Sequence, residues 1–142
     1  MNADVWVAVQ RVPLDLAKAA EFLTCEDSGA MSLFVGTVRN HAEGKPVAGI
    51  DYDGYDDMIL NVFRGIVAEI KSQWSPNRLT LLHRLGHLRL TEASVVVGVS
   101  CSHRREALDA TRFAIDAIKK DAPIWKKEIF ADSSAEWKGT PP

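Results

Sequence analysis

Leu79-Thr80-Leu81-Leu82-His83-Arg84-Leu85-Gly86-His87-Leu88-Arg89-Leu90-Thr91-Glu92-Ala93-Ser94-Val95-Val96-Val97-Gly98-Val99-Ser100 is the stretch that decides the fold. Leu79 to Leu85 and Ser94 to Ser100 read as core strands, with a shorter extended piece from His87 to Leu90 between them. Their spacing is that of a hairpin, which favours antiparallel pairing over a wound parallel sheet.

Outward from this pair, strands and helices mix. A long helix is expected from Asp56 to Trp74, with Ile59, Val62, Phe63, Ile66, Val67 and Ile70 along one face. Ser75-Pro76-Asn77 ends it. A second helix is expected from Arg104 to Lys119, its inner face formed by Ala107, Leu108, Thr111, Ile115 and Ile118. Ala122-Pro123 stops that one, because a residue before proline avoids the α region. Upstream, Val5 to Val12 reads as a strand with Val5, Val7 and Val9 on one face. Pro13 then opens a short helix striped by Leu16, Ala19, Ala20 and Leu23. Ala30 to Val38, Val47 to Tyr55 and Ile124 to Ile129 complete the strands. Asn40 to Pro46 is expected as a mobile loop, and the tail to Pro142 as irregular chain. The expected class is α+β with about three helices and a mixed or antiparallel sheet.

The bulk composition sets limits. The 142 residues suit one domain, 46% of them hydrophobic and 25% charged, with no repeat or linker to split the chain. A net charge of −2 argues against broad binding of nucleic acid or anionic membrane. Cys25 and Cys101 make no CxxC pair and suit free thiols in a reducing compartment. No apolar run approaches the roughly 18 residues of a membrane span, and no signal-peptide pattern opens the chain. The expected location is the cytoplasm.

Three basic clusters fall at element boundaries, where side chains converge. In Gly36-Thr37-Val38-Arg39-Asn40-His41, a glycine inside a strand marks a bulge or close backbone approach. Arg39 follows with a planar fork suited to phosphate or carboxylate. Ser102-His103-Arg104-Arg105 precedes a helix whose first N–H groups and partial positive charge favour anions. Lys119-Lys120-Asp121-Ala122-Pro123-Ile124-Trp125-Lys126-Lys127-Glu128 ends that helix and doubles back at the proline. Lys119 and Lys126 can therefore face one cavity, where a like charge and partial burial lower a lysine pKa. Each fragment alone also fits a plain surface. His103 lacks a second ligand at metal-site spacing, and no metal is expected. His83 and His87 read as structural, as do Trp6 and Trp74. Asp51 and Asp53 share a strand face, with Tyr52 pointing away from them.

Taken together, the clusters resemble the large, catalytic subunit of molybdopterin synthase, the MoaE family. The resemblance runs from about Gly29 to Glu128. It rests on Phe34-Val35-Gly36-Thr37-Val38-Arg39-Asn40-His41, Asp51-Tyr52-Asp53-Gly54-Tyr55 with Met58, His83-Arg84-Leu85-Gly86, Ser102-His103-Arg104 and Ala122-Pro123-Ile124-Trp125-Lys126-Lys127-Glu128. Five such marks in the family's order are highly specific.

The resemblance implies an α/β hammerhead fold and a homodimer. It also implies a small ubiquitin-like sulfur carrier ending in a Gly-Gly thiocarboxylate, two carriers completing a heterotetramer. The implied activity is a sulfurtransferase reaction on cyclic pyranopterin monophosphate, forming the dithiolene of molybdopterin without a resident cofactor. By position, Lys119 and Lys126 match the catalytic lysines, and Arg39, His103 and Arg104 the anion-binding residues. Thr37, Val38, Lys127 and Glu128 lie beside the substrate. The family more often has Glu at Asp51 and Asp53 and Ala at Gly54. Some relatives complete the pocket with an Arg from the neighbouring subunit's tail, where this chain offers only Lys138. A dimeric module that merely binds small anions would use Arg39, His103 and Arg104 and leave the two lysines without a task. A scaffold whose dimer surface is its function would use none of them.

Overall fold

The computed structural model describes residues 4–139. Its elements are β1 (Val5–Gln10), α1 (Leu16–Leu23), β2 (Ala30–Thr37), β3 (His41–Ala42), β4 (Lys45–Gly54), α2 (Asp56–Trp74), β5 (Arg78–Arg84), β6 (Gly86–Arg89), β7 (Ala93–Cys101), α3 (Arg104–Asp121), β8 (Ile124–Phe130) and β9 (Ala135–Lys138). The α+β class with three helices holds.

One sheet runs β1-β5-β7-β2. β5 and β7 pair antiparallel, as their spacing predicts, and β7 pairs antiparallel with β2. β1 lies parallel to β5, so this sheet is mixed. Its strands alternate apolar residues between two covered faces. Leu79, Leu81, Val95, Val97 and Val99 pack with Ile59, Phe63 and Ile70 of α2 and Ala107, Ala110 and Ala114 of α3. Leu82 and Val96 turn the other way, onto Leu14 and Ala19. Double coverage explains why these strands read as nearly continuous apolar runs.

The second sheet is built on β4, which pairs with β8 on one edge and β6 on the other, while β9 extends it beyond β8. Val38, Ala42, Val47, Ile50, Leu88 and Phe130 form its own small core. The chain thus leaves the first sheet at β2, β5 and β7 to enter the second, and the site forms where the two meet.

The α2 boundaries match the expected Asp56 to Trp74. Ser75 ends the helix in the left-handed region at φ 46°. Several other expectations need correction. β1 stops at Gln10, not Val12, because its ladder partner β5 ends opposite it at Arg84. Pro13 does not open α1. Asp15 caps it by accepting from the Lys18 N–H at 3.0 Å, leaving Leu16 exposed while Leu14 is buried. On α3, Leu108 faces solvent, and Ala110 and Ala114 take the inner face, since small residues permit close approach to the sheet.

The expected 40–46 loop is instead a tight hairpin. His41 pairs with Pro46 and Ala42 with Lys45 around Glu43 and Gly44. Both of those turn residues have positive φ, 51° and 76°, the conformation of a two-residue primed turn. The tail is not irregular through Lys138, because Ala135–Lys138 adds a strand to β8. Residues 140–142 lie outside the described residues. No helix among the described residues is long and apolar enough to cross a membrane.

Candidate active site

Strand pairing brings the key side chains together. β4 and β8 are antiparallel, with Tyr52 opposite Lys126. Residues two apart share a face, so Ile50, Tyr52, Lys126, Glu128 and Phe130 point one way and Asp51, Asp53 and Lys127 the other. Lys119 arrives from the last turn of α3, whose C-terminal dipole tolerates a cation. Ala122 and Pro123 reverse the chain, and the turn carries Lys126 back to Lys119.

Two adjoining cavities share Tyr52, Lys119 and Lys126. One, of about 200 Å³, is walled by Val95, Ile115, Ile118, Ala122 and Ile124, with His83 at its side and Lys138 and Gly139 at its edge. The other, of about 260 Å³, is polar and contains Gly36, Thr37, Arg39, His41, Ser94 and Glu128. The expected bulge is present: the β2–β7 register shifts between Gly36 and Thr37. A Cβ on Gly36 would stand 2.6 Å from Val95 Cγ1, so the close approach is real as well. Arg39 extends beyond the bulge and donates from Nε to the His41 carbonyl at 3.0 Å, which leaves its terminal nitrogens free for an anion.

Electrostatics follow from this packing. Lys119 is exposed as a whole residue, yet it lines both cavities. Desolvation there pulls its pKa below 10.5, and the charge of Lys126 pulls it further. His83 is buried, and desolvation lowers its pKa to about 4, despite its bond to the Arg84 carbonyl. Burial also raises the Tyr52 hydroxyl, partly offset by Ser94.

Of the residues singled out by sequence, Thr37, Arg39, Lys119, Lys126 and Glu128 line the cavities. Val38 is buried in the core of the second sheet, beside the site but not lining it. Lys127 points away; its amine lies 3.7 Å from Asp51 and over the Trp137 ring. His103 caps α3 and Arg104 begins it, both exposed. Lys119 is fifteen residues along the same helix from Arg104, about 22 Å at 1.5 Å per residue. One copy of the chain does not bring these two groups to the lysine pair. Lys138 lines the cavity of its own chain, held by Glu43 at 2.7 Å and Glu136 at 3.2 Å. Among the described residues no cluster of three or more His, Cys, Asp or Glu is placed to hold a metal ion.

From sequence, His83 reads as structural and Tyr52 only as pointing away from Asp51 and Asp53, whereas both line the site. The signal was the strand alternation itself. Asp51 and Asp53 on one face put Tyr52 on the other, and His83 shares the parity of Leu79 and Leu81, on the face of β5 that α2 and α3 cover.

Comparison with known proteins places the chain and its fold in a family. The family model described as MoaE protein matches residues 9–121. A molybdopterin synthase catalytic subunit from a Nostoc species is 42% identical over 131 residues, covering 92% of this chain and 79% of that protein. One from Bos taurus is 47% identical over 110 residues, covering 78% of this chain. The chain spans 58% of the length of that bovine relative. The crystal structure of molybdopterin synthase from Staphylococcus aureus superposes with a TM-score of 0.88 at 31% identity, covering 99% of both chains. With the family model matched over most of its length and close relatives spanning it, the chain belongs to the MoaE family, that of the molybdopterin synthase catalytic subunits.

Proposed function

We propose that this chain transfers sulfur from the C-terminal thiocarboxylate of a small ubiquitin-like carrier to cyclic pyranopterin monophosphate, forming the dithiolene of molybdopterin. The observation that carries this reading is the pair Lys119 and Lys126 at the seam of two cavities, one apolar and one polar. The polar cavity, with Arg39 at its rim, suits the phosphorylated pterin. The apolar cavity suits the carrier's tail, whose terminal sulfur then meets the pterin at the seam. Transfer forms a bond from the thiocarboxylate sulfur to a pterin side-chain carbon, which gives up an oxygen substituent. Water then cleaves the resulting thioester, breaking the carrier's carbon–sulfur bond and releasing the carrier as its carboxylate. Lys119, its amine already held below the ordinary lysine range, moves the proton, and Lys126 orients the two anions.

The relatives' name, catalytic subunit, presupposes a second kind of subunit, which supports the carrier as partner. A homodimer supplies what one copy lacks: His103 and Arg104 of a second copy complete the anion pocket, and two carriers make a heterotetramer. Two free thiols, a half-buried Cys25 and a buried Cys101, support a cytoplasmic location.

The test is molybdopterin formation by the purified chain with cyclic pyranopterin monophosphate and a thiocarboxylated carrier. Product is expected from the wild type and lost in Lys119→Ala. A folded chain that binds carrier but forms no product defeats the proposal.

A further inference from the structure

The apolar cavity has an imbalance of hydrogen-bonding groups. Lys119 and Lys126 line it with ammonium groups, which only donate, while the Lys138 amine at its edge is already paired with Glu43 and Glu136. Its walls of Val95, Ile115 and Ile118 neither donate nor accept. A peptide lying there can satisfy its carbonyls on the lysines, but its N–H groups need acceptors. A buried N–H without one is costly.

His83 supplies an acceptor. Its Nδ1 lies 2.9 Å from the Arg84 carbonyl, which can only accept, so Nδ1 carries the ring proton. In the neutral imidazole Nε2 then holds a lone pair. Burial keeps the ring neutral throughout the physiological range, and the Lys119 charge acts in the same direction. The ring is also fixed in place: its bond to Arg84 holds one edge, and Tyr52 packs edge-to-face at 5.2 Å with a 74° interplanar angle. Among the described residues Nε2 makes no hydrogen bond. The neighbouring inward positions of β5 are Leu79 and Leu81, fully buried and apolar. An imidazole at the next inward position, beside the lysine pair, adds a polar group that packing alone does not require.

We propose that His83 is a recognition residue for the carrier's tail, its Nε2 accepting a hydrogen bond from a peptide N–H of the terminal Gly-Gly. This rests on the functional reading above and extends it to a residue outside the lysine and arginine set. Two glycines offer no side chains, so their selection falls on backbone groups, and a neutral acceptor among cations reads an N–H that the lysines cannot.

The test is calorimetric binding of the carrier in its unactivated carboxylate form, full-length and lacking its last two glycines. His83→Leu is expected to weaken full-length binding about three- to tenfold, the weight of one neutral hydrogen bond, and to leave truncated-carrier binding unchanged. His83→Gln, which restores an acceptor near the Nε2 position, is expected to return full-length binding to within about twofold. In turnover the KM for carrier rises in His83→Leu while that for the pterin stays. Equal loss with both carriers makes the role structural and overturns the proposal, as does unchanged full-length binding in His83→Leu. If the wild type gains nothing from the two glycines, the seat of the tail falls together with the part assigned to His83.

Discussion

Tyr52 and Lys126 stand directly opposite each other across the β4–β8 ladder, and their side chains leave the sheet on the same face. That register sets the site. A slip of one residue would send Lys126 to the outer face, where Lys127 now meets Asp51, and would break the lysine pair. Everything that approaches Lys119 from the second sheet therefore depends on the turn at Ala122-Pro123 and on the pairing that follows it.

The lysine pair has a measurable signature. Lys119 titrates below 10.5 chiefly through desolvation and secondarily through Lys126. In Lys126→Gln the charge contribution disappears and the desolvation remains. The Lys119 inflection in the pH dependence of kcat/KM is expected to move upward, yet stay below 10.5. An inflection that does not move would separate Lys119 from the rate or Lys126 from Lys119.

His83 makes stability depend on pH. Its folded pKa of about 4 lies below the ordinary 6.5, so between these values the unfolded chain binds more protons than the native one. Stability is therefore expected to fall as pH drops from 6.5 toward 4, and the loss levels off below the folded pKa. The difference corresponds to about 3 kcal/mol for this buried ring. Carboxylates titrate over part of the same window, so the informative quantity is the difference between wild type and His83→Gln in urea unfolding at pH 7 and pH 4.5. Parallel losses in the two proteins would remove the assignment.

At Gly36 the backbone approaches β7 so closely that a Cβ would lie 2.6 Å from Val95 Cγ1. Gly36→Ala is expected to destabilise by roughly 1–3 kcal/mol through overpacking. It should also slow turnover, because Gly36 lines the polar cavity. Val95→Ala opens the space, so the double variant is expected to cost less than the sum of the single changes. Strict additivity in urea denaturation would show that the Val95 contact is not what excludes a side chain there.

The parts of this fold legible in the sequence are those whose signal is local. α2 shows its period and its stop at Ser75-Pro76-Asn77, and the β5–β7 pair shows in two apolar runs at hairpin spacing. The bulge at Gly36 and the convergence of Lys119 with Lys126 were legible because a glycine in a strand and a proline after a helix have few conformational outcomes. β9 was not. Ala135-Glu136-Trp137-Lys138 has little apolar content of its own and becomes a strand only because β8 offers it an open edge. The hairpin turn at Glu43 was hidden for a related reason: a glutamate gives no sign that it will adopt positive φ. His83 and Tyr52 carried the right strand parity, but their importance depends on which helix covers that face, and pairing between distant segments decides this.

The separation of His103 and Arg104 from Lys119 yields the most demanding prediction. Both sit at the first turn of α3 and Lys119 at its last, about 22 Å apart on one rigid helix. No rotation of side chains closes that distance, so shared service of one pocket requires a second copy of the chain. In a two-fold dimer each pocket then takes Lys119 from one protomer and His103 with Arg104 from the other. A Lys119→Ala protein and a His103→Ala/Arg104→Ala protein are each expected to be inactive as pure dimers. Mixed in equal amounts under conditions that exchange subunits, half the dimers become hybrids with one intact pocket. Activity should return to about a quarter of the wild-type level. If the mixture stays inactive although hybrid dimers form, the groups at the start of α3 do not serve the pocket of the other protomer.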